Sequence, residues 1–287
     1  MARSPVHEKG NGWIKACEIA LFPLTRLLGR RRYLGAEHLR VRGPVLVVAN
    51  HISHLDPVFD TVFIRTSGRI PHVLAKASLW KLPLIGRVMA GTEQIPVDRG
   101  GGAGQAALEK ATAALADGKV VLIYPEGTVT KDPQLWPMRP RPGVAALALA
   151  GDFPVIPVAH WGSHEVYRSY GSGRRFKPLP RKDVFVVAGD PIDLSAFRGR
   201  PVDNRAIRDV SYLIMGRIRD MVGELRGEQP PADFYDPKAA ARRAGSDTGS
   251  GSPRGGASGT AGDGTSAAPA PGSAADPVTG PGGGQQE

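Results

Sequence analysis

The segment Asn50-His51-Ile52-Ser53-His54-Leu55-Asp56 places a histidine and an aspartate five positions apart, directly after the apolar run Val45-Leu46-Val47-Val48-Ala49. On an unbroken α-helix, residues at that spacing point about 140° apart. The two side chains meet only if the chain turns between them, as it does where a strand hands over to a helix. Asp56 can then accept a hydrogen bond from one imidazole nitrogen and leave the other free to take a proton from a hydroxyl. No Gly-x-Ser-x-Gly nucleophile elbow is present. The simplest chemistry is therefore direct attack of a bound alcohol on an activated acyl group. A His–Asp pair at a strand end is also compatible with a purely structural role. His54 competes with His51 as the base. His72 reads as a strand-start residue, and His160 and His164 as loop-lining or surface residues.

A second constellation, Tyr124-Pro125-Glu126-Gly127-Thr128, follows another apolar strand. Gly127 permits a turn closed to other residues and exposes backbone N–H groups, which can hold a phosphate oxygen. Glu126 is ill-suited beside an anion, and its carboxylate better fits a substrate hydroxyl or a neighbouring cation. The alternative is a simple turn cap. Arg99, after Ile95-Pro96-Val97-Asp98, has the planar fork that grips phosphate bidentately, although an arginine after a strand is also an ordinary surface residue.

These groups need a scaffold. Strands are predicted at 45–49, 72–75, 94–97, 120–124, 155–158 and 184–188. Helices are predicted at 57–64, 78–90, 106–117 and 144–150, with a last amphipathic helix after the N-cap candidate Asp203. Continuous apolar strands alternating with helices predict an α/β layered domain with a largely parallel, buried central sheet flanked by helices. Residues 12–34 read as helical with a break or kink at Pro23. Their apolar face, with Arg26, Arg30, Arg31 and Arg32 near its end, suits an anionic bilayer surface or packing on the domain. The expected organisation is a membrane-surface helical segment at 1–34, the main domain at 35–236 and a disordered Gly/Ala/Pro/Ser-rich tail at 237–287.

The 287 residues carry a net charge of +10, and the tail's charges cancel, so the excess falls on the folded part. That implies an anionic partner or a solvated basic surface. No helix-turn-helix, zinc-finger or RNA-binding aromatic signature is present, so nucleic acid is not expected. Cys17 is the only cysteine, which excludes an intrachain disulfide, and it reads as a small apolar residue on a helix face. No apolar run reaches the ~20 residues of a spanning helix. Glu8, Lys9, Lys15 and Glu18 interrupt any signal-peptide pattern, so the chain is expected to be soluble or bound at the membrane surface, in the second case peripherally on the cytoplasmic face.

Asn50-His51-x-Ser53-x-x-Asp56 resembles the first signature block of the PlsC-like 1-acylglycerol-3-phosphate acyltransferases. The lead-in Gly35-Ala36-Glu37-His38-Leu39 to Gly43-Pro44 is similar to theirs. Lys76 to Pro83, Gly86, and Gly91 to Arg99 resemble the second block. Tyr124-Pro125-Glu126-Gly127-Thr128 resembles the third, and Phe153-Pro154-Val155-Ile156-Pro157-Val158 the fourth. The likeness covers about residues 33–190.

The resemblance implies that His51 is the general base and Asp56 its orienting partner. The hydroxyl of a lysophospholipid then attacks the thioester of acyl-CoA or acyl-carrier protein. It implies Arg99, Glu126, Gly127 and Thr128 at the acceptor's phosphate, with Asn50, Ser53, Lys76, Arg141 and Pro157 as further substrate contacts. No cofactor or metal is implied, the thioester being a substrate. Two departures stand out. Val129-Thr130 occupies the place of a common Arg-Ser, and Arg141-Pro142-Gly143 that of a Lys-x-Gly. The insertion Asp132 to Met138 resembles a high-GC bacterial branch of the family. These departures bear on which lipid accepts the acyl group, not on the transfer step. A thioester or lipid hydrolase would use the same pair on water.

Overall fold

The computed structural model describes residues 7–98, 103–170 and 175–247. Arg99, the Gly100–Gly102 stretch and the tail beyond Asp247 lie outside the described residues.

The chain opens with α1 (Gly12–Leu28), whose N-terminus is capped by Asn11, its side chain accepting from Ile14 N at 3.0 Å. Strand β1 (Gly29–Leu34) follows directly. Then come β2 (Val45–Ala49), α2 (Asp56–Thr66), β3 (Pro71–Lys76), α3 (Pro83–Gly91), β4 (Ile95–Val97), α4 (Ala103–Ala116) and β5 (Val120–Ile123). The rest is α5 (Gly143–Ala148), β6 (Val155–Trp161), α6 (Ser163–Val166), β7 (Lys182–Ala188), α7 (Asn204–Arg226) and α8 (Pro237–Asp247). The strands form one sheet in the order β1-β7-β6-β2-β5-β3-β4. From β6 to β4 all neighbours are parallel, whereas β7 runs antiparallel to β6 and β1 parallel to β7.

The central strands are buried on both faces, as their unbroken apolar runs require. Strand alternation divides them between two cores. Leu46 and Val48 of β2 pack with Val144, Leu147, Ile214 and Ile218 from α5 and α7. Val45, Val47 and Ala49 pack on the other face with Phe59 and Phe63 of α2. Each of these fully buried phenylalanines contributes roughly 1.5–3 kcal/mol of transfer free energy. Asp203 caps α7, accepting from Ala206 N at 2.7 Å, and Gly227 ends it in a left-handed turn.

Two expectations are corrected. Residues 29–34 are a strand, not the end of a helix, so the sheet extends into the segment expected to lie on a membrane surface. The arginines are accordingly redirected: Arg30 and Arg32 grip Asp183 of β7, and Arg31 lies over the rings of Phe22 and Tyr33. Pro23 sits inside α1 without ending it. Residues 237–247, expected to be disordered, are helical. Cys17 is half-buried, and burial together with Glu18 raises its thiol pKa, consistent with an inert residue.

Candidate active site

The site lies where β2, β5 and β6, adjacent and parallel, reach their carboxyl ends, the usual place for ligands on an open α/β sheet. After Ala49 the chain turns and enters α2 at Asp56. This turn brings His51 Nδ1 to 2.9 Å from Asp56 Oδ2. The same oxygen accepts from the backbone of Ile52 at 2.6 Å and Ser53 at 2.8 Å. Asp56 is fully buried in the first turn of α2, where helix N–H groups favour a carboxylate. Burial pushes its pKa up. His160, His51 and the Ser163 hydroxyl outweigh that and hold it below the ordinary carboxylate value. His51 Nε2 makes no hydrogen bond among the described residues. The pair thus has one nitrogen fixed and one available.

Nearby hydroxyls do not form a nucleophile–base couple with His51. Ser53 Oγ donates to the Tyr167 carbonyl at 2.7 Å, and Ser163 Oγ donates to Asp56. His54 is drawn away, its Nδ1 2.5 Å from Ser169 Oγ, and burial, then His51, lowers its pKa.

Glu126 turns inward. Its carboxylate accepts from His51 N at 2.8 Å and Met138 N at 3.0 Å, and Thr130 N donates to His51 O at 2.7 Å. Burial raises its pKa from 4.5 to about 8 against the pull of those two amides. Glu126 therefore braces the His51 loop rather than facing a hydroxyl. Gly127 adopts φ +71°, and a Cβ there would sit 2.5 Å from Arg141 Nε. Its missing side chain lets the exposed Arg141 lie across the turn, with Nε 3.3 Å from the Glu126 carbonyl. Thr128 Oγ1 is 3.1 Å from Tyr170 OH.

Other expected contacts are placed differently. Asn50 is fully buried and pairs with the backbone of His160, accepting at 2.7 Å and donating at 2.9 Å. With Ser53 also engaged by backbone, neither is open to substrate. Pro157 is buried within β6, level with Val48. Lys76 is exposed at the end of β3. His72 sits in β3, as expected, with Nδ1 3.0 Å from the Glu93 carbonyl.

His160 and His164 are not loop or surface residues. His160 is a fully buried residue of β6 whose Nδ1 lies 2.9 Å from Asp60 Oδ1, and His164 is a mostly buried residue of α6, tilted against the ring of Trp161. Tyr124 donates to Asp60 Oδ2 at 2.6 Å and stacks on His51 with ring centroids 4.3 Å apart. Asp60, His160 and Tyr124 were thus missed as parts of the site. The available signal was alternation. Ile156 and Val158 face the α2 side, and extending that strand puts His160 on the same face. Asp60 lies one helical turn after Asp56 and shares its side of α2.

A largely parallel α/β sheet with a His–Asp pair at its central carboxyl edge and, among the described residues, no serine bonded to that histidine defines a fold and site suited to group transfer. Residues 30–161 match the family described as Acyltransferase. It is 34% identical over 160 residues to the N-acylphosphatidylethanolamine synthase of Arabidopsis thaliana, covering 52% of this chain and 56% of that one. It is 28% identical over 136 residues to a 1-acyl-sn-glycerol-3-phosphate acyltransferase of Borreliella burgdorferi, covering 46% and 52%. The chain thus spans about half the length of these curated relatives. The crystal structure of the 1-acyl-sn-glycerophosphate acyltransferase PlsC from Thermotoga maritima shares the fold, with a TM-score of 0.57 at 22% identity over 76% of this chain and 81% of that one.

Proposed function

We propose that this protein transfers a fatty acyl group from an acyl thioester, acyl-CoA or acyl-carrier protein, to the free hydroxyl of 1-acylglycerol-3-phosphate, giving phosphatidic acid. The observation that carries this reading is the His51–Asp56 contact at 2.9 Å with Nε2 left unbonded. His51 Nε2 removes the hydroxyl proton as the oxygen attacks the thioester carbonyl. The tetrahedral intermediate then collapses, the C–S bond breaks, and the departing thiolate takes the proton from His51. Asp56 holds the imidazolium in place throughout. Arg141 across the Gly127 turn, Thr128 beside it, and Arg99 supply the acceptor's phosphate contacts.

A second acceptor class is favoured by one observation: one relative is named for N-acylation of phosphatidylethanolamine. The same base could deprotonate another lysophospholipid hydroxyl or a lipid amine. Both substrates are lipids, and an apolar exposed face suits contact with an anionic membrane. Ile19 and Leu27 of α1 are 78% and 70% exposed, and Leu84 of α3 is 71% exposed. The two helices meet where Asn11 donates to Gly91 O at 2.8 Å. Among the described residues no helix is long and apolar enough to cross a membrane.

The test follows thiol release and lipid product with acyl-CoA and a panel of lysophosphatidate, other lysophospholipids and phosphatidylethanolamine. Release that requires lysophosphatidate and disappears in His51→Ala supports the first reading. Dependence on another acceptor selects the second, equal release without any lipid acceptor makes the protein a thioester hydrolase, and no release with any donor removes the proposed reaction.

A further inference from the structure

The reaction above leaves one buried ionisable cluster without a role. The ring of His160 is fully buried and stands edge-on to Phe59. Its Nδ1 lies 2.9 Å from Asp60 Oδ1, and its Nε2 lies 3.4 Å from Asp56 Oδ1. The first contact is a hydrogen bond. The second is an ion-pair distance without hydrogen-bond geometry, which leaves Nε2 otherwise unpartnered among the described residues. A continuous path therefore runs from His51 through Asp56, His160 and Asp60 to Tyr124, whose ring returns to the face of His51.

A neutral imidazole has one N–H and one lone pair. Between two carboxylates, its lone pair would face a second lone pair in a site closed to water. A doubly protonated ring offers a donor to each. The groups facing this ring from the surrounding elements agree. From α2 come Asp56 and Asp60. From the end of β5, Tyr124 donates to Asp60, and from α6, Ser163 donates to Asp56. Asn50 touches only the backbone of His160. His164 of α6 adds no charge near neutral pH, because burial lowers its pKa to about 4. Among the described residues no His, Cys, Asp and Glu group is arranged to hold a metal ion.

We propose that His160 is a positioning residue for the catalytic pair: a buried imidazolium that bridges Asp56 to Asp60, balances one of their two charges, and fixes Asp56 where it orients His51. With both aspartates ionised the cluster carries one net negative charge, which falls to zero when His51 takes the substrate proton. Burial alone would lower the pKa of His160, and the two aspartates more than reverse this, in agreement with the geometry.

The kinetic half of the test rests on the proposed transfer reaction, and the spectroscopic half does not. In the full chain with ¹⁵N-labelled histidine, both ring nitrogens of His160 still carry protons at neutral pH, above an ordinary histidine's ~6.5. An unprotonated ring nitrogen there overturns the proposal, whatever the enzyme does. In kinetics, His160→Gln leaves two buried carboxylates without a cation between them, which then compete for one proton. The expected loss is at least about tenfold in kcat with little change in KM. Adding Asp60→Asn restores the charge count and recovers about half or more of that loss on a logarithmic scale, a non-additivity that a merely structural histidine would not give. Unchanged kcat in His160→Gln, or additive losses in the double variant, overturns the proposal. If His160→Gln does not fold, the ring-nitrogen measurement alone decides. If the parent shows no acyl transfer, the proposed reaction fails and that same measurement still decides the charge of His160.

Discussion

Asp56→Asn separates charge from shape at the proposed catalytic pair. The amide oxygen can take the place of Oδ2 and keep the backbone bonds from Ile52 and Ser53, now at 2.6 and 2.8 Å. It can still accept from His51 Nδ1, so the tautomer and ring orientation survive. What disappears is the negative charge beside the imidazolium that forms as the hydroxyl proton is removed. With Nδ1 2.9 Å from Oδ2, the charge centres lie about 4 Å apart, and at an effective dielectric of about 20 their attraction is about 4 kcal/mol. That corresponds to roughly a thousandfold in rate. Placing an amide nitrogen toward His160 also opposes two donors, which costs about 1–3 kcal/mol of stability. The expected result is a folded protein with a lower Tm and kcat/KM reduced by about three orders of magnitude, read by thiol release with saturating acyl-CoA and varied lysophosphatidate. A variant within about tenfold of the parent would refute the view that Asp56 acts through its charge.

Two further predictions concern the loop brace and the apolar face. Glu126 titrates at about 8 in the folded chain against an ordinary 4.5, so its contribution to stability is fully present below about pH 4.5 and is lost as pH rises through about 8. The span is on the order of a few kcal/mol. Denaturant midpoints measured across that window should fall more steeply for the parent than for Glu126→Gln, and parallel curves would show that the carboxyl does not titrate there. Replacing Ile19 and Leu27 by glutamate should weaken co-sedimentation with anionic vesicles by at least about tenfold, since each apolar side chain adds roughly 1.5–3 kcal/mol when buried. Undiminished co-sedimentation would move the membrane contact off α1.

The scaffold was legible wherever burial on both faces left a continuous apolar run, as at Val45–Ala49 and Val120–Ile123. The His51–Asp56 turn was legible because the residue types and spacing leave few other ways to use a strand-to-helix junction. Strand β1 was not. Its partner Asp183 lies 153 positions from Arg30, and without it the arginines look like the basic end of a helix. Glu126 was misjudged for a related reason. A carboxylate in a turn suggests a ligand, yet the donors that hold it are the main-chain amides of His51 and Met138, which no residue type reveals. His160 was placed outside the interior by ending its strand three residues early, at Val158 instead of Trp161. Element ends are the least determined part of such a reading, and here the last turn of alternation carried a charge into the interior.

The backbone bonds that join Asn50 to His160 and the His51 loop to Glu126 and Thr130 have an evolutionary consequence. They stitch the carboxyl ends of β2, β5 and β6 into one rigid edge through bonds between protein groups alone. Exposed positions of the surrounding connections, such as Pro133 and Gln134 in the Asp132–Met138 insertion, take no part in these stitches, whereas the Met138 amide and Gly127 do constrain the loop. On the proposed reaction, changes at such exposed loop positions would alter which acceptor is held while leaving the His51–Asp56 geometry in place.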